Sequence, residues 1–427
     1  MRRFAVGLSA GLLALRLLFT AGSAPALELS DIYAQIGITP ARMGTSGLTV
    51  FPTLIIPSGG TFESMGQAYT AVAHDASFLD ANPAGSATLE LTELSLAHNN
   101  WIADSSIESI TYTRRFGDLG IAAAGKFLHV PFTHYDTTSR QVSGGRYSEG
   151  SVGINASYNL LRSYSFPGIS VGATIKTAYR YVPEVIAPNQ TIIGFAADIG
   201  VLSRFDLFKT YSARTPNFAA GASARNFGPP VGNEPLPSQI TTGVAYSPVR
   251  PVTVASDLIV PVSLASGVPP SPIGGALGVT VRITSFFAAQ TGILLRTGGS
   301  RFSMGATLAL SDIILDVNYN LDLATQFSSL DRFSVQARLN FGDEGRAATR
   351  KLVDEYYLEA WRASAVGKTD LAIEYSQRAL DLDPSFSPAA RLLQISRETR
   401  QLQLDLRAID LESIGAVDDQ STYGTGR

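Results

Sequence analysis

The chain has 427 residues, with 33 Lys and Arg against 36 Asp and Glu, and it contains no cysteine. The lack of cysteine excludes a disulfide scaffold, thiolate metal sites and a cysteine nucleophile, and a net charge of −3 argues against a nucleic-acid partner, which requires a basic surface. Charged residues make up only 16%, below the roughly 25% of soluble proteins, whereas glycine reaches 39 residues. This composition favours a β-rich protein that is not surrounded by water alone.

Residues 1–26 have the pattern of a secretory signal peptide. The basic pair Arg2 and Arg3 precedes an apolar run over residues 4–15, and small residues before position 26 offer a cleavage site. An N-terminal membrane anchor is the alternative, although Arg16 interrupts the apolar run. We expect the mature protein to function outside the cytoplasm.

Residues 27–88 lack strand alternation and include the motif Asn82-Pro83-Ala84-Gly85. The Asn82 side chain can bond its own backbone, and Pro83 stiffens the loop. A plain turn is the alternative interpretation, since Asn-Pro and Gly are turn formers. The position of the motif just before the first strand of an exported chain favours a functional role over a plain turn, and a small rigid loop would suit a plug.

From about Leu89 to Phe341, apolar and polar residues alternate with the period of a β-strand. In one run, Val152 and Ile154 alternate with Gly153. About fourteen such runs lie near residues 90–101, 107–117, 119–130, 150–161, 168–182, 190–202, 217–227, 238–246, 251–263, 273–283, 285–296, 301–310, 311–322 and 331–341. Most of them reach the roughly 9–11 residues that a tilted strand needs to cross a bilayer.

Two architectures could use these strands. A soluble sandwich must bring its apolar faces together, whereas a membrane barrel turns them to lipid and satisfies every backbone polar group by closing on itself. The export signal, the even number of long strands and the low charge favour the barrel. We predict an all-β transmembrane barrel of about 14 antiparallel strands over residues 89–341, in a bacterial outer membrane.

The tail, residues 342–427, differs in character and begins with the hinge Gly342-Asp343-Glu344-Gly345. The spacing of Gly367, Ala372, Ala379 and Pro384 resembles the second half of a tetratricopeptide unit, and a further helix is predicted over about 386–411. We predict a periplasmic helical tail that could bind a periplasmic protein through residues 346–411. The alternative is an appendage that packs against the barrel rim.

The segment from Gly66 to Gly85, with Asp75-Ala76-Ser77 and then Asn82-Pro83-Ala84-Gly85, resembles the hatch of the FadL-like long-chain fatty-acid outer-membrane transporters. It is particularly similar to an uncharacterised spirochaetal subgroup of that family. The resemblance implies a fourteen-stranded barrel plugged by an N-terminal hatch over residues 27–88, with the hatch motif at Asp75, Asn82, Pro83, Ala84 and Gly85. The chain departs from the family at its end, because the last strand closes at Phe341 and a tail follows.

A fatty acid of about sixteen carbons gains roughly 0.8 kcal/mol per buried CH₂ group and needs an apolar groove, while its carboxylate needs a basic partner in the lumen. The candidate ligand-binding residues in the lumen phase are Lys176, Arg180, Arg282 and Arg338. The alternative is an internal electrostatic lining in which these cations pair with Asp198, Asp312 and Asp316. A one-residue register error would invert the assignment.

We therefore predict outer-membrane transport of long-chain fatty acids or other hydrophobic small molecules through a hatch-gated barrel. The alternative is a porin-like or structural barrel whose tail docks periplasmic proteins. Four histidines without ligand spacing indicate no metal, and no Ser/His/Asp set can be assembled. We expect no enzymatic activity and no cofactor, with membrane lipid and a hydrophobic ligand as the partners.

Overall fold

The computed structural model describes residues 49–421, except for short gaps at 102–103, 136–137, 165, 185–189, 213–214, 233, 266–267, 269, 297–299 and 324–330. The predicted signal peptide and residues 27–48 of the predicted hatch lie outside the described residues.

Fourteen antiparallel strands form a closed barrel, in which each strand pairs with its neighbours in sequence and β1 pairs with β14. The strands are β1 (Glu93–Asn100), β2 (Ser106–Phe116), β3 (Leu119–Tyr135), β4 (Gln141–Leu160), β5 (Ile169–Tyr181), β6 (Ile192–Phe205), β7 (Phe218–Phe227), β8 (Gln239–Val249), β9 (Val252–Pro261), β10 (Gly274–Arg282), β11 (Phe287–Leu295), β12 (Arg301–Leu310), β13 (Ile313–Asp322) and β14 (Arg332–Asn340). The predicted antiparallel barrel of 14 strands is confirmed. The hairpin of β3 and β4 extends several residues further than the alternation indicated.

The two faces of each strand differ as the alternation predicts. In β5, Ile175 points outward and is 71% exposed, whereas Thr174 is buried on the inner face. In β4, Ile154 is 69% exposed and Asn155 is buried. The apolar set therefore lies on the outside of the barrel and the polar set on the inside, so the register assumed from the sequence is correct here.

The two ends of the barrel differ in their connections. The tail end carries the start of β1, the end of β14 and short turns such as residues 117–118 and 311–312. The loop end carries longer connections such as 182–191, 262–273 and 323–331. Outer-membrane barrels have short turns on one side and long loops on the other.

Residues 49–88, here called the inner segment, contact inward-facing side chains of the barrel. They contain the short helix α1 (Gly60–Ser64) and the 3₁₀ turns Pro52–Leu54, Ala76–Asp80 and Pro83–Thr88. Three apolar clusters join this segment to small residues of the wall: Phe62, Met65 and Tyr69 with Ala245 and Ala255; Val50 and Phe51 with Ala178 and Ala196; and Phe78 and Ala84 with Ala122.

After β14 the chain forms helices α2 (Arg346–Ala365), α3 (Thr369–Leu382) and α4 (Ser387–Ser421). Phe386 packs on Tyr357 of α2 and, at a ring distance of 5.1 Å, on Tyr164 in the turn after β4. The Arg346 guanidinium donates to the backbone carbonyl of Glu90 at 2.6 Å. The tail thus contacts the tail end of the barrel through a few residues. Among the helices that the structure describes, none has the length and apolar character needed to span a membrane.

Candidate functional site: the filled interior of the barrel

Asn82 joins the inner segment to the barrel wall. Its side-chain oxygen accepts a hydrogen bond from the backbone N–H of Ala84 at 3.0 Å and so caps the turn Pro83–Thr88. Its amide group donates to the backbone carbonyls of Thr70, within the segment, and Val201, in β6, both at 2.9 Å. The side chain is fully buried. The motif is therefore a turn whose capping residue is also bonded to the wall.

The rest of the motif fits closely into its surroundings. The carbonyl of Pro83 accepts a hydrogen bond from the Asn155 side chain of β4 at 3.0 Å, and Ala84 is fully buried. A Cβ on Gly85 would lie 2.6 Å from the Cβ of Phe78, so no larger residue fits there without a shift. Each member of the motif thus meets either the wall or the core of the inner segment.

Glycines in the strands allow the inner segment to lie directly on the wall. A Cβ on Gly172 of β5 would be 2.2 Å from the carbonyl oxygen of Pro83, and one on Gly200 of β6 would be 2.1 Å from Oδ1 of Asn82. Other wall glycines with a similarly close approach to the segment are Gly120, Gly221, Gly278, Gly292 and Gly305. At these glycines the inner segment lies so close to the wall that a side chain on the strand would overlap it, and little free space is left between them.

Asp75 connects the inner segment to β14. Its Oδ1 accepts from the backbone N–H of Ser77 at 2.9 Å, and its Oδ2 accepts from the Thr61 hydroxyl at 2.8 Å. The same Oδ2 lies 3.4 Å from Nη1 of Arg338. Burial acts to raise the pKa of Asp75, but the Arg338 cation and neighbouring hydrogen bonds act more strongly and lower this pKa to about 2. The carboxylate is therefore charged at neutral pH.

Arg338 also pairs with two carboxylates of the wall. Its Nε lies 2.9 Å from Asp316 of β13, and its Nη1 lies 3.4 Å from Glu93 of β1. One buried cation thus holds three buried acids, of which only Asp75 belongs to the inner segment.

A second group of charges lies on strands β3, β5 and β6. Lys126 of β3 forms an ion pair with Asp80 of the inner segment, and Asp80 also accepts from the backbone N–H of Ser58 at 2.8 Å. Lys176 of β5 lies 2.5 Å from Asp198 of β6. The interior is held together by buried ion pairs as well as by apolar contacts.

The four predicted ligand-binding residues lie in different surroundings. Lys176 and Arg338 are paired with acids, which is the arrangement of the alternative interpretation. Arg180 pairs with Glu234 at 3.2 Å at the loop end. Arg282 ends β10 at the tail end and is exposed. The structure does not bring the four together at one place, and their role toward a ligand stays a prediction. The third predicted acid, Asp312, lies in the turn before β13 and accepts from Asn340 through its backbone carbonyl.

Sequence reasoning did not single out three arginines at the loop end. Arg296 follows β11, Arg301 begins β12 and Arg332 begins β14, so they are separated along the chain. Arg301 and Arg332 lie over the ring of Trp101, 5.2 Å and 3.2 Å from its centroid. The available signal was their inward position at strand ends of the same end of the barrel, where Asp322 is the acid opposite Arg301. We call these three residues the arginine group.

A cavity of about 50 Å³ lies beside the arginine group at the loop end. Its lining is half apolar and half polar: the apolar residues are Ile55, Pro235, Pro237, Pro261, Val262 and Pro270, and the polar ones are Thr49, Ser238, Gln239, Ser263, Ser271 and Arg296. In the described part of the chain, no group of three or more His, Cys, Asp or Glu side chains is arranged to bind a metal ion.

Comparison with known proteins gives one family and several structural neighbours. The model of the uncharacterised protein family UPF0164 matches residues 33–344. A UPF0164 protein of Treponema pallidum is 29% identical over 379 residues, which are 86% of this chain and 87% of that protein. The toluene transporter TbuX of Ralstonia pickettii aligns with 67% of this chain and 99% of its own, at 12% identity and a TM-score of 0.47. The toluene transporter TodX of Pseudomonas putida aligns with 66% of this chain and 96% of its own, at 12% identity and a TM-score of 0.45.

Proposed function

The chain belongs to the uncharacterised protein family UPF0164, and from its geometry we propose that it is an outer-membrane transporter for hydrophobic small molecules, with long-chain fatty acids as the first substrates to test. In this proposal residues 1–26 direct export, and residues 27–88 form a hatch of which the inner segment is the described part. Residues 89–341 form the barrel in the membrane, and residues 342–427 form a helical tail in the periplasm.

The outward surface of the barrel is the observation that carries the proposal. Large apolar side chains on this surface, such as Val152, Ile154 and Phe195, are 60–69% exposed. Such side chains occur on twelve of the fourteen strands, all except β7 and β11, whereas soluble proteins rarely expose apolar patches larger than a few hundred Å². Strands of 8–20 residues are long enough to cross a bilayer at a tilt. Hydrocarbon is the solvent in which this surface is stable.

The inner segment supports a gated rather than an open passage. It is bonded to β6 through Asn82, to β4 through Ser86 and to β9, where Asp257 accepts the backbone N–H groups of Tyr69 and Thr70 at 3.0 Å and 2.9 Å. Passage of a molecule along the barrel therefore requires the segment to move. Many of these contacts are hydrogen bonds or ion pairs, which water can replace at a net cost of about 0.5–1.5 kcal/mol per hydrogen bond.

The small cavity at the loop end supports a hydrophobic cargo. Its lining has an apolar side of four prolines with Ile55 and Val262, against which a hydrocarbon chain can pack, beside polar side chains such as Arg296 that can bind a head group. Its volume of about 50 Å³ is far below the roughly 300–1,000 Å³ of a ligand pocket. In the proposed mechanism the cavity is the outer end of an apolar path that enlarges when the inner segment moves, since each buried CH₂ group contributes roughly 0.8 kcal/mol.

Uptake of radiolabelled palmitate tests the proposal. The full chain, with its own signal peptide, is produced in a Gram-negative host that lacks a fatty-acid importer, and its position is checked by membrane fractionation. We expect the chain in the outer-membrane fraction and palmitate uptake well above that of the same host with an empty vector. Equal uptake with and without the chain at the outer membrane would remove fatty acid as the cargo.

The alternative function is a porin-like or structural barrel that docks proteins in the periplasm. It is favoured by one observation, the exposure of Leu358 and Trp361 on helix α2. Ion conductance in planar bilayers separates a porin from a plugged transporter, because a filled interior passes little current. Co-purification of a periplasmic protein that depends on residues 346–411, and that is lost when Trp361 is replaced by Ser, would support docking.

A further inference from the structure

The arginine group differs from the other basic residues of the interior because it has fewer acids around it than cations. Lys126, Lys176 and Arg338 each pair with a carboxylate. In the part of the chain that the structure describes, two acids face the three arginines: Asp322 is opposite Arg301 in the pairing of β12 with β13, and Asp322 and Glu63 both act electrostatically on Arg301 and Arg332. The guanidiniums repel one another, and burial adds to the cost of their charge.

Arg332 is the most confined member of the group. Its exposed fraction is 5%, and neither Nε nor Nη1 has a hydrogen-bond partner. Glu63 of the inner segment is one of the acids nearby, but its carboxylate accepts from the Ser334 hydroxyl at 2.6 Å and from Asn99 at 3.3 Å. A buried guanidinium with free N–H groups is costly unless an acceptor binds to it.

Trp101 orients two members of the group. The guanidinium groups of Arg301 and Arg332 lie over the indole ring of Trp101. A cation–π contact of this kind leaves the in-plane N–H groups of a guanidinium free to donate. The ring also shields the cations from part of the solvent, which strengthens their attraction for an anion.

A small cavity adds a further donor beside Arg301. It holds about 10 Å³ and is lined by Glu63, Gly66, Gln67, Leu294, Arg301, Ser303 and Asn320. The Nδ2 group of Asn320 is buried and has no hydrogen-bond partner. Asn320 is directly opposite Arg332 in the pairing of β13 with β14. Unused donors of Asn320 and Arg332 therefore lie on neighbouring strands, with Arg301 on the next strand.

We propose that Arg296, Arg301 and Arg332, with Asn320, bind a phosphate or sulfate group at the loop end of the barrel. A carboxylate has two oxygens and is matched by a single guanidinium fork. Phosphate and sulfate groups carry three or four oxygens and can accept from several guanidiniums at once. The anion neutralises the excess positive charge and satisfies the free donors. All four donor residues belong to the barrel wall, so the proposal holds even if no fatty acid is transported.

Tryptophan fluorescence measures this binding directly. The chain has two tryptophans, and replacing the one on helix α2 (Trp361→Phe) leaves Trp101 as the only reporter. The full chain in detergent is titrated with inorganic phosphate, sodium sulfate, dodecyl phosphate and, as comparison, acetate and laurate. We expect saturable shifts of Trp101 emission with the phosphate and sulfate probes, and much weaker binding of the two carboxylates.

Substitutions at the site give the matched controls. Arg332→Gln should weaken phosphate binding by about tenfold or more, as expected for loss of a charge-assisted hydrogen bond, and Arg332→Lys should restore only part of it. Arg180→Gln, at the same end of the barrel but in an ion pair, should change it less than about twofold. If Arg332→Gln does not fold, Arg301→Gln gives the same comparison.

The same titration also shows whether the bound phosphate or sulfate is the head group of an amphiphile or a free anion. Tighter binding of dodecyl phosphate than of inorganic phosphate would assign the site to an amphiphile headgroup, and equal binding would assign it to the free anion. Carboxylates that bind as tightly as phosphate, or phosphate binding that survives Arg332→Gln and Arg301→Gln unchanged, would overturn the proposal.

Discussion

Gly200 of β6 and Asn82 of the inner segment approach so closely that a Cβ on Gly200 would lie 2.1 Å from Oδ1 of Asn82. No real side chain tolerates this distance, so the wall is shaped to receive that amide. The amide itself bonds to the carbonyl of Val201, the next residue in the strand. At this point two adjacent residues of β6 position the inner segment: Gly200 leaves room for Asn82 because it has no side chain, and Val201 accepts the hydrogen bond from Asn82.

Gly200→Ala is expected to displace the inner segment from β6. The added methyl group overlaps Asn82, and overpacking of this kind costs about 1–3 kcal/mol. We expect higher ion conductance than in the wild type in planar bilayers, because the segment fits the wall less well. The control is Gly275→Ala in β10, where the nearest atom would be the carbonyl oxygen of Asp257 at 3.9 Å. Identical conductance of the two variants would contradict the close fit.

Replacements of Asn82 separate its cap from its two donors. Asn82→Ala removes both functions and should destabilise the inner segment by about 1–2 kcal/mol or more. Asn82→Asp keeps an oxygen that can cap Ala84 but loses the donors to Thr70 and Val201. Amide hydrogen exchange over residues 76–88 should accelerate in both variants. Unchanged exchange in Asn82→Ala would show that this residue does not anchor the segment.

Arg338→Gln is expected to release the inner segment at neutral pH. It leaves Asp75, Glu93 and Asp316 buried without a cation, and breaking a buried pair costs about 3–5 kcal/mol. Conductance should therefore rise. Arg338→Lys should raise the conductance less than Arg338→Gln does. Lysine keeps the positive charge, but it cannot reproduce the several directed N–H contacts of a guanidinium.

The pH dependence of this variant has a defined direction. In the wild type the pKa of Asp75 is about 2, below its ordinary value of 3.8, so its stabilising contribution is present above about pH 4 and is lost as the pH falls toward 2. Wild-type conductance should stay low from pH 7 to about pH 4. In Arg338→Gln, acidification neutralises the repelling acids, so conductance should fall as the pH is lowered. Conductance that rises on acidification in this variant would exclude the ion-pair account.

A charge on the outer surface tests the membrane environment. Ile154→Lys places an ammonium group on the outward face of β4, which should cost about 2–4 kcal/mol near the middle of a bilayer. The control is Leu161→Lys, because Leu161 is 75% exposed in the turn after β4. We expect a lower urea midpoint in phospholipid vesicles for Ile154→Lys only. Equal midpoints would indicate that Ile154 does not face lipid.

The strands could be predicted because each one obeys a single local rule. In β5 and β13, apolar residues such as Ile175 and Val317 alternate with polar ones because one face points out of the barrel and the other into its interior. The extension of β3 to Tyr135 was missed because Pro131 and the pair Gly144-Gly145 favour turns. Pairing of this long hairpin outweighs those local preferences.

The interior was only partly predictable, because its contacts join residues that are distant in sequence. The motif around Asn82 indicates a turn, but nothing local shows that Gly172 and Gly200 would receive it. The phase of Lys176 and Arg338 was correct, yet their acidic partners depend on how β6 and the inner segment pack. The arginine group was missed for the same reason, since its members begin or follow three different strands.

A reversible cross-link between the inner segment and the wall tests most directly whether transport needs this segment to move. The hydroxyl oxygens of Ser86 and of Ser157 in β4 are 2.5 Å apart, so Ser86→Cys with Ser157→Cys places two sulfurs within reach of a disulfide. The chain has no other cysteine to compete. The control pair is Ser247→Cys with Thr253→Cys, which joins β8 to β9 within the wall, where the hydroxyls are 2.9 Å apart.

The measurement is palmitate uptake by the oxidised and the reduced forms of both double variants, with disulfide formation verified by mass spectrometry. We predict that the oxidised Ser86–Ser157 pair reduces uptake to the level of the empty vector and that dithiothreitol restores it, while the control pair transports in both states. Wild-type uptake by the fully oxidised Ser86–Ser157 pair would contradict a transporter gated by its inner segment.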